Sequence, residues 1–89
     1  MSTPYEPTAD QPTMFTTTWC GYCRRLKSQL TRAGVAYSEV DIEAHPEAAD
    51  IVARVNDGNL TVPTMLFADG SALTNPSVSQ VQQKITAAG

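Results

Sequence analysis

The sequence predicts an α/β domain in the order βαβαββα, with four strands in one mixed sheet and three helices. Three observations predict it. Short β-branched and apolar runs alternate with stretches of helical periodicity. A turn signal, Asp69-Gly70, directly joins the last two strand runs and makes them a hairpin. Both cysteines of the chain fall at the first strand-to-helix junction, in Trp19-Cys20-Gly21-Tyr22-Cys23.

Taken in order, Thr13 to Thr18 is rich in β-branched residues and forms the first strand. Helix one runs from about Gly21 to Ala33. Tyr22, Leu26 and Leu30 recur there at i, i+4 and i+8, and Gly34 stands where a C-cap glycine belongs. Val35 to Ile42 is the second strand, with Ala36, Val40 and Ile42 apolar; the helical crossover makes it parallel to the first. Pro46 suits the first position of helix two, whose inner face is Ala48, Ile51, Val52 and Val55. Asn56-Asp57-Gly58-Asn59 ends it. Thr64 to Ala68 is the third strand and Ser71 to Leu73 a short fourth. Asn75-Pro76-Ser77 opens the last helix, with Val78, Val81 and Ile85 on one face. Residues 1–11 carry Pro4 and Pro7 without apolar periodicity and read as a mobile N-terminal tail before a domain spanning 12–89.

Composition narrows the function classes. Eighty-nine residues, 42% of them hydrophobic, suffice for one domain with a small core. Two cysteines adjacent in space cannot staple a disulfide scaffold, so packing must hold the fold. The N-terminus has neither a basic region nor an apolar run, so no signal peptide is expected. No run of 18 apolar residues is present, so no membrane span is expected. A reducing cytoplasm is the expected compartment, and there a CxxC pair is catalytic or metal-binding. The net charge is −3, and the only basic cluster is Arg24, Arg25 and Lys27, which reads as a solvated helix face. No nucleic-acid partner is expected. Structural zinc needs four ligands, and the only other soft candidate, His45, precedes Pro46 at a helix start and reads as a surface residue. No metal is expected.

The dithiol carries the chemistry. A sulfur at the start of a helix sits where the helix N-terminus favours negative charge, which makes Cys20 the nucleophile. Cys23, within the first turn, can attack a mixed disulfide formed on Cys20. Trp19 and Tyr22 flank the pair and read as lining a substrate groove. Asp41 and Glu43, at a strand end, read as solvated.

This element order, with a CxxC after strand one and Thr61-Val62-Pro63 just before strand three, resembles the thioredoxin fold and, within it, the glutaredoxin family. The resemblance covers roughly residues 13–88. It implies a thioredoxin-like architecture, a cis Pro63 facing the dithiol, and a Val62 backbone that pairs with the substrate's cysteinyl backbone. It implies a site built from Trp19, Gly21, Tyr22, Thr61, Val62 and Pro63 around the catalytic Cys20 and Cys23.

Two departures bear on substrate. The family commonly has a lysine three residues before the nucleophile; here stands Thr17. The family's acidic segment after strand four is replaced by Leu73-Thr74-Asn75-Pro76-Ser77. Glutathione carries carboxylates and an amine, so a site without matching charges should bind it poorly. The neutral hydrogen-bonding residues Thr74, Asn75 and Ser77 suit hydroxyls better. Trp-Cys-Gly-Tyr-Cys, Thr-Val-Pro-Thr, Phe-Ala-Asp-Gly-Ser and Leu-Thr-Asn-Pro are together similar to the mycoredoxin branch of the family.

That branch implies reduction of protein mixed disulfides with mycothiol, a neutral sugar-bearing thiol. It implies no bound cofactor, mycothiol as co-substrate regenerated by an NADPH-dependent reductase, and a monomer. Two alternatives stay open: a general glutaredoxin- or thioredoxin-like reductant of protein disulfides, and a dimer sharing a [2Fe–2S] cluster, which the small Gly21 permits.

Overall fold

The computed structural model describes residues 6–8 and 11–88, the last two by their backbone. β1 (Thr13–Thr16) lies inside the sheet and is buried along its whole length. On one side it pairs in parallel with β2 (Ser38–Asp41), placing Phe15 opposite Val40. On the other it pairs antiparallel with β3 (Thr64–Leu66), placing Phe15 opposite Thr64. β3 continues antiparallel into β4 (Ala72–Thr74), so the sheet order is β2-β1-β3-β4. The helices are α1 (Gly21–Arg32), α2 (Pro46–Val55) and α3 (Val78–Ala88). The order βαβαββα and the mixed four-stranded sheet are those the sequence predicts.

Two cores sit on opposite faces of the sheet, because neighbouring strand residues point opposite ways. Met14 joins Leu26 and Leu30 of α1, Met65, Phe67 and Val81 of α3. Phe15 joins Val40, Ile42 and the Ala48 and Val52 of α2. A strand covered on both faces needs no polar alternation, which is why β1 reads as a continuous run.

Boundaries differ from the sequence-based ones where long-range bonds decide them. α1 closes with a Schellman pair: Val35 N–H donates to Leu30 O at 2.9 Å and Gly34 N–H to Thr31 O at 3.1 Å, with Gly34 at φ +75°. That cap leaves residues 35–37 outside the ladder, so β2 starts only at Ser38, whose N–H donates to Pro12 O at 2.9 Å. The β3–β4 turn moves β4 on to Thr74. Asp69 Oδ1 accepts from the Ser71 hydroxyl at 2.6 Å and its amide at 2.9 Å, while Lys84 of α3 lies 3.0 Å from Oδ2. These partners, the Ser71 hydroxyl first, hold the Asp69 carboxyl well below the usual carboxylate range.

The buried stripe of α1 is Cys23, Leu26 and Leu30, which corrects the expected Tyr22, Leu26 and Leu30. Tyr22 is 62% exposed. At about 100° per residue, Cys23 lies some 40° from the Leu26–Leu30 midline and Tyr22 about 60°. Cys23, not Tyr22, therefore roots the helix in the core.

The expected mobile tail falls partly on residues 1–5, 9 and 10, which lie outside the described residues. Thr8 and Gln11 exchange backbone hydrogen bonds of 3.1 and 3.2 Å, and Gln11 Nε2 donates to Ser38 Oγ at 2.9 Å. Among the described residues, no helix is long and apolar enough to cross a membrane.

Candidate active site

Cys20 is the N-cap residue of α1. Its backbone is extended (φ −85°, ψ 112°), and its sulfur accepts the Cys23 N–H at 3.1 Å. A thiolate at this position meets an amide that the helix leaves unsatisfied, at the positive end of the helix dipole. Cys20 keeps a small exposed edge, 6%, while Cys23 has none. Of the two cysteines, only Cys20 therefore reaches the surface. Burial, and then the neighbouring sulfur of Cys20, push the Cys23 thiol up to about 12. The two sulfurs thus have unequal surroundings: one caps the helix tip, and the other is buried behind it with its thiol held protonated.

The wall facing the dithiol is the segment before β3. The Val62–Pro63 bond is cis, and Val62 O lies 3.9 Å from Cys20 Sγ. Pro63 is buried and its carbonyl accepts the Asn75 N–H at 2.8 Å. Asn75 itself has φ +46°, a conformation that asparagine tolerates better than most residues, and it turns the chain out of β4. The structure thus brings together Cys20, Val62, Pro63 and Asn75, residues from three separate stretches.

Thr61 and Thr74 are tied together from behind. Thr64 Oγ1 donates to Thr61 O at 2.6 Å. Asn56 Nδ2 donates to Thr64 Oγ1 at 2.9 Å, and Thr74 Oγ1 donates to Asn56 Oδ1 at 3.1 Å. Asn56 was legible in the sequence only as part of a helix terminator; its long-range side-chain role is visible only in the fold. Ser77 caps α3: its Oγ accepts the Gln80 N–H at 3.1 Å, and Gln80 Oε1 accepts the Ser77 N–H at 2.8 Å. Its side chain therefore serves the helix start, a use that Ser77-x-x-Gln80 could have signalled.

Trp19 and Tyr22 stand out from the surface, 70% and 62% exposed, on either side of Cys20 in the chain. Trp19 is held: its Nε1–H donates to Glu43 Oε1 at 3.0 Å, and the Glu43 amide donates to Asp41 Oδ1 at 2.8 Å. Glu43 is exposed, as expected of a solvated residue, and its carboxylate also anchors the indole next to Cys20 in the chain. Gly21 occupies the first turn with open space where a Cβ would lie.

Thr17, the residue in place of the family's lysine, is 7% exposed, and its hydroxyl is buried without a hydrogen-bonding partner among the described residues. Arg24 and Arg25 are exposed, as a solvated helix face requires. Lys27 departs from that face. It pairs with Glu39 at 2.9 Å, the same Oε2 that accepts the Thr16 hydroxyl at 3.0 Å, and the Glu39 hydrogen bond raises its pKa.

A protein-family model for glutaredoxin matches residues 13–72. A protein of Mycobacterium tuberculosis that carries the name glutaredoxin is 59% identical over 73 residues, 82% of this chain and 87% of that one. Mycoredoxin 1 of Corynebacterium glutamicum is 43% identical over 75 residues, 84% of this chain and 92% of that one. The crystal structure of the glutaredoxin from Methanosarcina mazei Go1 superposes with a TM-score of 0.73 at 21% identity, covering 90% of this chain and 82% of that one, a likeness of fold. Asymmetric dithiol, opposing cis-proline wall, family match and relatives agree: the chain belongs to the glutaredoxin family, and it is a thiol–disulfide oxidoreductase.

Proposed function

We propose that this protein removes mycothiol from protein mixed disulfides. The Cys20 thiolate attacks the mycothiol sulfur of the mixed disulfide. The protein–mycothiol S–S bond breaks, a Cys20–mycothiol S–S bond forms, and the protein thiolate leaves and takes up a proton. A second mycothiol thiolate then attacks the adduct. It releases Cys20 and forms the mycothiol disulfide, which carries away the oxidising equivalents for an NADPH-dependent reductase. Cys23 offers the other resolution: it attacks Cys20, forms the Cys20–Cys23 disulfide and expels the small thiol. The protein acts in the cytoplasm as a monomer, without a bound cofactor.

The observation that carries this reading is that the positions where the family commonly carries a lysine and an acidic segment hold uncharged residues in this chain. Thr17 stands where a lysine would pair a glutathione carboxylate, and Thr74, Asn75 and Ser77 carry no charge. Unpaired carboxylates in a partly dry groove are costly, whereas neutral donors and acceptors match sugar hydroxyls. The name of the Corynebacterium relative points the same way.

The test is to compare the protein's kcat/KM for one peptide carried as its mycothiol and as its glutathione mixed disulfide. A preference of about tenfold or more for mycothiol, about 1.4 kcal/mol, is expected. Equal rates would return the chain to general glutaredoxins.

A further inference from the structure

Cys23 has a task that its surroundings oppose. To resolve an adduct on Cys20 it must attack as a thiolate, yet burial, and then the sulfur of Cys20, push its thiol up to about 12. Once Cys20 is tied in a mixed disulfide, its share of that opposition goes and burial stays. A backbone hydrogen bond from Thr17 and the charge of Lys27 work the other way.

Lys27 follows Cys23 by four residues on α1, about 40° round the helix, so the two lie on one face a turn apart. Its ammonium is held 2.9 Å from Glu39 Oε2, the oxygen that also accepts the Thr16 hydroxyl at 3.0 Å. The strand register puts this ion pair on the dithiol's side of the sheet. Glu39 stands opposite Met14, and Met14 packs in the cluster that contains Cys20 and Cys23. Thr16, two residues on from Met14, faces the same way. The other elements around Cys23 bring apolar side chains, Met65 from β3 and Val81 from α3. Lys84 of α3 is engaged with Asp69, and Tyr37, which packs against the cluster before β2, acts on Lys27.

We propose that Lys27, held against the sheet by Glu39, supplies the positive charge that lets the buried Cys23 resolve an adduct on Cys20. Cys23 gives its proton to solvent, and the ammonium one turn away stabilises the thiolate that remains. That thiolate attacks Cys20 Sγ. The Cys20–Cys23 S–S bond forms, the bond from Cys20 to the small thiol breaks, and the small thiolate leaves and takes up a proton. Glu39 places the ammonium and offsets part of its charge. Neither side chain touches substrate, so both are positioning residues. The inference rests on the reading of Cys23 as the resolving cysteine.

The experiment mixes the reduced protein with one equivalent of the aromatic disulfide dithiobis(nitrobenzoate) and follows release of its coloured thiol by stopped-flow absorbance from pH 6 to 9. The first release reports attack by Cys20, and the second reports attack of Cys23 on the Cys20 adduct. Lys27→Met should slow the second release by about fivefold at pH 7 and move its rise to higher pH, with the first release held within about twofold. Lys27→Arg keeps the charge and should hold the second release within about twofold of the parent. Glu39→Gln keeps an oxygen for Lys27 and removes the opposing charge, so it should quicken the second release by about twofold or more. A pair that only stiffens the fold would slow both releases in Lys27→Met and Glu39→Gln alike, and that result overturns the inference. An unchanged second release in Lys27→Met overturns it as well. A parent protein with a first release and no second overturns the resolving role of Cys23 itself, and the inference falls with it.

Discussion

The backbone amide of Cys23 donates to the sulfur of Cys20 across 3.1 Å, and Cys23's own sulfur has no exposed surface. One cysteine thus hydrogen-bonds the other's sulfur while being shielded itself. Cys20→Ser is expected to abolish all exchange. Cys23→Ser should keep most activity on small-thiol mixed disulfides, where a second small thiol resolves the adduct, and lose reduction of intramolecular protein disulfides. Mass spectrometry after brief iodoacetamide treatment at pH 7 should find the label on Cys20. Faster labelling of Cys23 would reverse the assignment.

The raised Cys23 pKa also predicts a pH dependence of stability. A folded-state value of about 12 lies above the usual thiol value of about 8.5 in the unfolded chain. The folded state therefore holds this proton more tightly. Its contribution is complete below about pH 8.5 and is lost as pH rises toward the folded value. Chemical denaturation of the reduced protein from pH 8 to 11 should show a steeper loss of stability than in Cys23→Ala. Parallel curves would show that the thiol is not shielded.

Thr17 Oγ1 is buried with no hydrogen-bonding partner among the described residues. Thr17→Val keeps the shape and removes the orphaned hydroxyl. It should stabilise the protein by about 1 kcal/mol, read as a higher denaturant midpoint at unchanged slope. A lower midpoint would mean that the hydroxyl is satisfied after all. The same burial means that a lysine introduced here would have to run its stem through the wall before its ammonium reached water.

Gly21 lies in the first turn of α1, and nothing is within 4 Å of where a Cβ would lie. Gly21→Ala should therefore act through the unfolded chain and stabilise by about 0.4–1 kcal/mol. A thermal melt should rise by on the order of 4 °C. A fall would show that the helix start needs glycine for a backbone reason.

The sequence by itself determined what depends on near neighbours. Element order follows from local periodicity and turn residues, and the dithiol's place at a helix start follows from three residues of spacing. The Gly34 cap was likewise legible, because its bonds close within five residues. The faces of the sheet and the partners across it were not. The choice of Cys23 over Tyr22 for the core depended on a helix rotation that only packing sets. Trp19 with Glu43, Lys27 with Glu39 and Thr74 with Asn56 join positions 24, 12 and 18 residues apart. Hydrogen bonding of that kind is set by where the chain crosses itself, and no local pattern encodes which polar side chain meets which. Residue type could say that Thr74 and Asn56 were able to hydrogen-bond; only the tertiary fold, by fixing Thr64's proton on Thr61, decided which way each bond points.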